Sequence, residues 1–359
     1  MASVLVVATS RKTRGGITSV IKAHECGEQW KKYHCHWIQT HRDGPVWRKV
    51  FYLLWAWCDF LLRIPFANIV HVHGTAGTSG KRKLLFIKLS KWFGKKIIFH
   101  FHPSGTNLLN DPAEKAILKS IFDAVNIIIV LSPTWEKLIR RAFVDCDYNI
   151  TVLWNPCPRV VISDVPKKKQ ILFAGTLVKR KGYDILLKAF GKIANKHQDW
   201  SLAFAGNPYL LDGVNELEHG KQIASTLGIS DQVKWLGWVG EEMKNKVFSE
   251  SMIYCLPSEN EGFPMGVLDA FAFGLPVVST PVGGIPDIAE DGTNMLISDY
   301  GDIDKLSDCI EQLITNEELR RCLSLQSLQL AHTIFDIEHI CENLDAIYGH
   351  LIKESLGDD

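Results

Sequence analysis

An α/β protein built from two doubly wound parallel sheets is the fold class that this 359-residue sequence predicts. Three observations carry the expectation. Short runs that are almost continuously apolar recur along the chain, as strands covered by helices on both faces do. Helical patterns such as YDILLKAFGKIA (183–194) fill the gaps between them. The series then occurs a second time after NPCPRVVISDVPKKK (155–169), a stretch rich in proline and charge that reads as a linker.

The strands expected in the first half are VLVVAT (4–9), IVHVHG (69–74), KIIFHFH (96–102) and VNIIIVLS (125–132). Those in the second half are QILFAG (170–175), SLAFAG (201–206), MIYCLPS (252–258) and PVVST (276–280). A hydrophobic content of 46% with 22% charged residues is that of an ordinary folded protein, and the length suits two domains. Nine cysteines without a CxxC pair argue for reduced, buried thiols in a cytosolic setting, not a disulfide frame or a zinc site. The start, MASVLVVATS, lacks the basic head and cleavage site of a secretory signal. Zero net charge conceals a split: residues 1–167 hold 24 Lys and Arg against 11 Asp and Glu, and the remainder 16 against 29. The first half is therefore expected to meet something anionic.

Two segments of that half invite a surface reading. VFYLLWAWCDFLLRIPF (50–66) is too short in its uninterrupted apolar run to span a bilayer. The plain expectation is a helix buried against the first sheet; the other is a helix lying in a membrane interface, favoured by its tryptophans and by Arg48, Lys49 and Arg63. KRKLLFIKLSKWFGKK (81–96) has no acid among Lys81, Arg82, Lys83, Lys88, Lys91, Lys95 and Lys96, which points to a surface for anionic lipid head groups or for the acceptor. Nucleic acid is not expected, because no reader motif accompanies the cations.

Three motifs carry chemistry. After the first strand, Gly15 and Gly16 precede an amphipathic helix, so the backbone could meet a phosphate at that helix's positive end. Lys179, Arg180 and Lys181 stand before Gly182 at a strand's carboxyl edge, a cationic turn in an otherwise acidic half. In SENEGFPMGVLDAFAFGLPVVSTPVGGIPD (258–287), Glu261, Gly262, Phe263 and Pro264 lead into a helix bearing Asp269. Eight residues on one helix would separate the two acids by roughly 12 Å, too far for work on one bond and suited to the ends of an elongated ligand. The plainer readings are a turn, solvated lysines and an acid complementing a helix dipole.

These motifs, with HVHG (71–74), FHFHP (99–103), SPTWEKL (132–138) and the dense run 257–297, resemble the retaining nucleotide-sugar glycosyltransferases of family 4 over nearly the whole chain. The resemblance implies the GT-B fold of two facing Rossmann-like domains: 1–163 on the acceptor side, 164–339 binding the donor, and a C-terminal helix at about 340–359 packing back on the first. It implies that Glu261 reaches hydroxyls of the donor sugar and that Asp269 takes the ribose hydroxyls. Lys181 would neutralise the pyrophosphate, the amide of Gly16 would meet the distal phosphate, and His102 would stand near the anomeric centre, with His100 as its fallback. Thr176 occupies the place of the family's arginine, for which Arg180 or Lys179 could substitute, and Asp269 shortens the usual glutamate. No metal and no cofactor are expected beyond the nucleotide-diphosphate sugar, since no DxD motif stands where a metal would be needed. The expected partners are that donor and a glycan or lipid-linked glycan acceptor, at the inner face of the cell membrane. An idle glycan- or nucleotide-binding relative and a nucleotide-sugar epimerase are the alternatives.

Overall fold

A computed structural model of the chain describes residues 2–160, 165–208, 210–211 and 214–357. Residues 1–156 together with 335–359 form one unit, and 157–334 form another. The division falls ahead of the expected 163/164 boundary, and the chain returns to the first unit at Phe335, before position 340. Residues 161–164 of the expected linker lie outside the described residues.

In the first unit the order is β1 (Val4–Ala8), α1 (Gly16–Glu25), α2 (Glu28–Lys32), β2 (His36–Gln39), α3 (Val46–Arg63), β3 (Ile69–Gly74), α4 (Gly77–Trp92), β4 (Lys96–Phe101), α5 (Pro112–Phe122), β5 (Ile127–Val130), α6 (Pro133–Ala142) and β6 (Ile150–Val152). These strands form one parallel sheet in the order β2-β1-β3-β4-β5-β6. The second unit runs β7 (Gln170–Ala174), α7 (Tyr183–Ile193), β8 (Ser201–Ala205), β9 (Leu210–Leu211), β10 (Val214–Asn215), α8 (Glu216–Thr226), β11 (Val233–Gly237), α9 (Glu241–Glu250), β12 (Ile253–Leu256), α10 (Met265–Ala272), β13 (Val277–Ser279), β14 (Leu296–Ile297), α11 (Ile303–Thr315) and α12 (Glu317–His332). Its parallel sheet is ordered β11-β8-β7-β12-β13-β14, with β9 and β10 as a small antiparallel pair. The last helix, α13 (Ile337–Leu356), belongs to the first unit. Ile340, Leu344, Tyr348 and Leu351 pack there against Val4, Val6, Ile69 and Ile98.

The eight runs read from the sequence are the eight inner strands of the two sheets. The four that continuous hydrophobicity missed, β2, β6, β11 and β14, are the four sheet edges. An edge strand is covered less completely and tolerates polar residues: VKWLG in β11 alternates between buried and accessible positions.

Two expectations about the first unit are overturned. Helix α3 is not buried against the sheet. Ala56 and Phe60 are its fully buried positions, whereas Val46, Trp47, Val50, Phe51, Leu54, Trp55, Leu61 and Leu62 are exposed. The reason is topological. The steps β2 to β3 and β3 to β4 move the same way across the sheet, so right-handed crossovers lay α3 and α4 side by side on one face. The narrow stripe of Trp57 and Phe60 meets Phe86 of α4, with ring centroids 4.4 and 5.0 Å apart, and among the described residues the outward apolar positions of α3 are left exposed. Nor do all the cations of 81–96 lie at the surface. Lys83 is 1% exposed, points inward and donates to Thr40 Oγ1 at 2.7 Å. Burial, then the charge of Arg82, pushes its ammonium well below the ordinary lysine range. Arg82 and Lys95 are half-buried, the latter donating to the Pro65 carbonyl, whereas Lys81, Lys88 and Lys91 are exposed.

Candidate functional site

In the second unit the strand order reverses between β7, which leads outward to β8 and β11, and β12, which leads to β13 and β14. Ligands of open α/β sheets bind at the carboxyl ends of strands beside such a switch point. The turn after β7 carries Lys179–Lys181, and the loop after β12 carries Ser258–Pro264. The two segments are drawn together by Gly182. Its φ is +73°, and an added Cβ would lie 2.0 Å from the Pro257 carbonyl oxygen, so no other residue permits this approach. The Glu259 amide donates to the Arg180 carbonyl at 2.8 Å and fixes the register.

Lys181 Nζ consequently stands 2.6 Å from Glu261 Oε1, which also accepts from Ser258 Oγ at 2.9 Å. Arg180, bonded to the Asn260 carbonyl, brings its guanidinium to 3.9 Å from Glu261 Oε2. The side chains of Glu261 and Lys181 are 9% and 18% exposed, so the pair is sheltered and still reachable by a ligand. Glu261 precedes α10 rather than lying on it, so the single-helix spacing of 12 Å does not apply. Phe263 is buried, Pro264 caps α10, and Asp269 lies within that helix. Gly283 holds the loop from the far side. With φ +60°, its Cβ would meet the carbonyl oxygens of Gly262 and Glu261 at 2.4 and 2.5 Å, and the Gly284 amide donates to the former at 3.0 Å. Asp269 accepts from Lys244 of α9 at 2.8 Å. Desolvation raises its pKa, with Lys244 pulling the other way. Nothing local in the sequence announces Lys244 as a partner, and Gly283 was legible only as part of the GGIPD run. Of the loop GNPYLLDGVN (206–215) after β8, residues 209 and 212–213 lie outside the described residues.

In the first unit Gly15 (φ +144°) is the N-cap of α1, and Gly15 and Gly16 are exposed, with open space about the former. The amides of the first turn of α1 thus lack intrahelical partners. His102 follows β4, is 8% exposed, and shares a hydrogen bond of 3.0 Å between its Nε2 and His73 Nδ1. The patterns HVH and HFH sit on neighbouring strands with His73 opposite His100, so period-two alternation points His71, His73, His100 and His102 to the same face. His24 of α1 completes the group, on the inward period of Ile17, Val20 and Ile21. His71 Nδ1 meets Tyr348 Oη of α13 at 2.7 Å. Burial lowers every one of these pKa values, to about 4 for His24 and to about 3 for His102, where His24 adds to the effect. Nitrogens of His71, His73 and His100 lie within 4.8 Å of one another. Their rings are stacked, with planes 2° to 31° apart, so the in-plane lone pairs run side by side and do not converge as a metal requires. The group is a stack of neutral imidazoles beneath His102. A groove of about 440 Å³ opens elsewhere in this unit, lined by Arg11, Lys12, Trp37, Phe51, Tyr52 and Trp55 among others.

The described coordinates align with the structure of Anabaena HepE in complex with UDP and glucose at a TM-score of 0.76, over 98% of this chain and 100% of that one, with 14% identity. Two such units define a protein of the GT-B fold class. Residues 160–327 match the family model described as glycosyl transferases group 1. An uncharacterized glycosyltransferase of Haemophilus influenzae is 32% identical over 55% of each chain. A subunit of the phosphatidylinositol N-acetylglucosaminyltransferase of Saccharomyces cerevisiae is 24% identical over 99% of this chain and 78% of that one. The likeness to this glycosyltransferase family is carried by residues 160–327. Its matched stretch spans about half the length, or less, of the first curated relatives.

Proposed function

We propose that the chain transfers a sugar, with retention of anomeric configuration and without a metal, from a nucleoside diphosphate donor to a glycan or lipid-linked glycan acceptor in the building of a cell-surface polysaccharide. The observation that carries this reading is the Lys181–Glu261 pair at the switch point of the second unit. The two charges neutralise each other across 2.6 Å. An arriving diphosphate competes for the ammonium and releases the carboxylate to accept hydrogen bonds from the sugar's hydroxyls. The family match over residues 160–327 and HepE's complex with UDP and glucose support a nucleotide-linked donor, and the resemblance of the yeast subunit supports an acceptor carried on a lipid.

In the chemical step the bond between the anomeric carbon and the phosphate oxygen breaks, and its electron pair leaves with the nucleoside diphosphate. The acceptor hydroxyl forms the new bond on the same face and gives its proton to the departing phosphate oxygen. The growing phosphate charge needs preformed countercharge, for which Lys181, Arg180 and the main-chain amides at the start of α10 are suited. Arg180 supplies the charge that Thr176 lacks. In the first unit His102, kept neutral by burial, can meet a hydroxyl with a dipole but not with a cation. Asp269, steadied by Lys244, is assigned to the ribose hydroxyls. A thermal-shift screen against nucleoside diphosphates and their sugars tests the reading, because selective binding raises the melting temperature by mass action. Turnover of the stabilising donor that vanishes in Lys181→Ala and Glu261→Ala is the expected result. Tight nucleotide binding with no turnover in the native chain would reassign it to a non-catalytic subunit.

A further inference from the structure

The exposed side of α3 is the largest departure of this molecule from an ordinary surface. Trp47, Val50, Phe51, Leu54, Trp55, Leu61 and Leu62, each at least 48% exposed, lie at helical spacing over four turns, with the exposed Cys58 in the turn between Trp55 and Leu61. Phe66 just beyond the helix, at 80%, and Trp92 and Leu85 on the neighbouring α4, at 78% and 54%, extend the patch. A contiguous apolar area of this size on one face marks an interaction surface.

The charges around it say what that surface meets. Helices α3 and α4 together hold eight Lys and Arg and one acid, Asp59. Asp59 is already engaged by Arg63 at 2.6 Å and His36 at 2.8 Å, so it does not offset the cations nearby. Lys83 points inward, leaving Arg48, Lys49, Lys81, Lys88 and Lys91 as the flanking cations that reach solvent. Exposed tryptophans on an apolar stripe, bordered by long cationic side chains, match the boundary of a bilayer, where rings lie at head-group level and ammonium groups reach the phosphates. No helix among the described residues is long and apolar enough to cross a membrane. The groove after β1 adjoins the same stripe, since Phe51 and Trp55 belong to both, and it adds Arg11 and Lys12.

We infer that α3 and the exposed side of α4 form a docking surface for an anionic lipid bilayer, with α3 lying in the plane of the interface. Among its described residues the second unit has no comparable stripe, and it is acidic, so the attachment is one-sided. This surface is separate from the sugar-transfer site, and a chain that turns over its donor but ignores vesicles would lose only this inference.

The test is co-sedimentation of the full chain with vesicles of phosphatidylcholine alone or mixed with phosphatidylglycerol, together with tryptophan emission. Binding is expected to rise with the phosphatidylglycerol fraction, to weaken with salt, and to shift emission to the blue. Lys81→Glu/Lys88→Glu/Lys91→Glu should lower the apparent affinity by about 100-fold at low salt. Trp47→Ser/Leu54→Ser/Leu62→Ser should lower it at least about tenfold and, because all three positions are exposed, leave the melting temperature in place. Absence of vesicle binding by the native chain, or undiminished binding by both variants, overturns the inference. Self-association that the serine variant abolishes, without vesicle binding, overturns it as well and gives the face to a second copy.

Discussion

The two units share one architecture and divide the work differently. The second is acidic and holds its charged groups in short turns at the strand ends, where glycines force backbone segments against each other. The first is basic, keeps five histidines neutral inside, and turns an apolar helix face outward. One unit gathers its charged groups into a few fixed contacts; the other is distinguished by the apolar area it leaves uncovered. A site made of contacts is disrupted by changing one residue; a surface responds to area and charge, residue by residue, in smaller steps.

Acid should separate the two most strongly. The folded pKa values of His24 and His102, about 4 and about 3, lie below the ordinary value of 6.5. Their neutral forms therefore contribute stability fully above pH 6.5, and it is lost as pH falls toward the folded values. At pH 5 the two together should cost about 4 kcal/mol. Hydrogen exchange at pH 7.5 and 5, corrected for intrinsic rates, should show β3 and β4 losing protection while β7 and β12 keep theirs; equal behaviour would erase the distinction. Next, Lys181→Ala should reduce kcat/KM roughly 10²- to 10³-fold in steady-state assays, as loss of one group facing developing charge does elsewhere. Gly182→Ala should destabilise the second unit by about 2 kcal/mol or more in urea titrations, because a Cβ there meets both a positive φ and the Pro257 carbonyl. The smallest effect belongs to Lys244→Ala, which frees Asp269 and should weaken nucleotide affinity by about tenfold in calorimetry, with little change in melting temperature.

Legibility in the sequence follows the same division. Inner strands announced themselves because they are buried on both faces, and the edges did not. Lys181 and Glu261 stood out because a turn packs its chemistry into consecutive residues. The partners that complete them, Lys244 for Asp269 and His24 and Tyr348 for the histidine stack, come from elements far along the chain and have no local signature. The outward face of α3 was misjudged for a similar reason: an apolar helix reads as interior until the crossovers place a neighbour on its other side. The inward turn of Lys83 amid a row of surface cations likewise depends on Thr40, one strand away.

Helix α13 leaves one mark on how the molecule comes into being. Because residues 157–334 separate it from the rest of its unit, a ribosome delivers the whole second unit before the first can be completed. Until residues 337–356 emerge, Val4, Val6, Ile69 and Ile98 lack their cover and His71 lacks Tyr348. The usual head-first order of assembly is thereby reversed, and the nascent chain carries an unfinished, sticky opening half until that helix emerges.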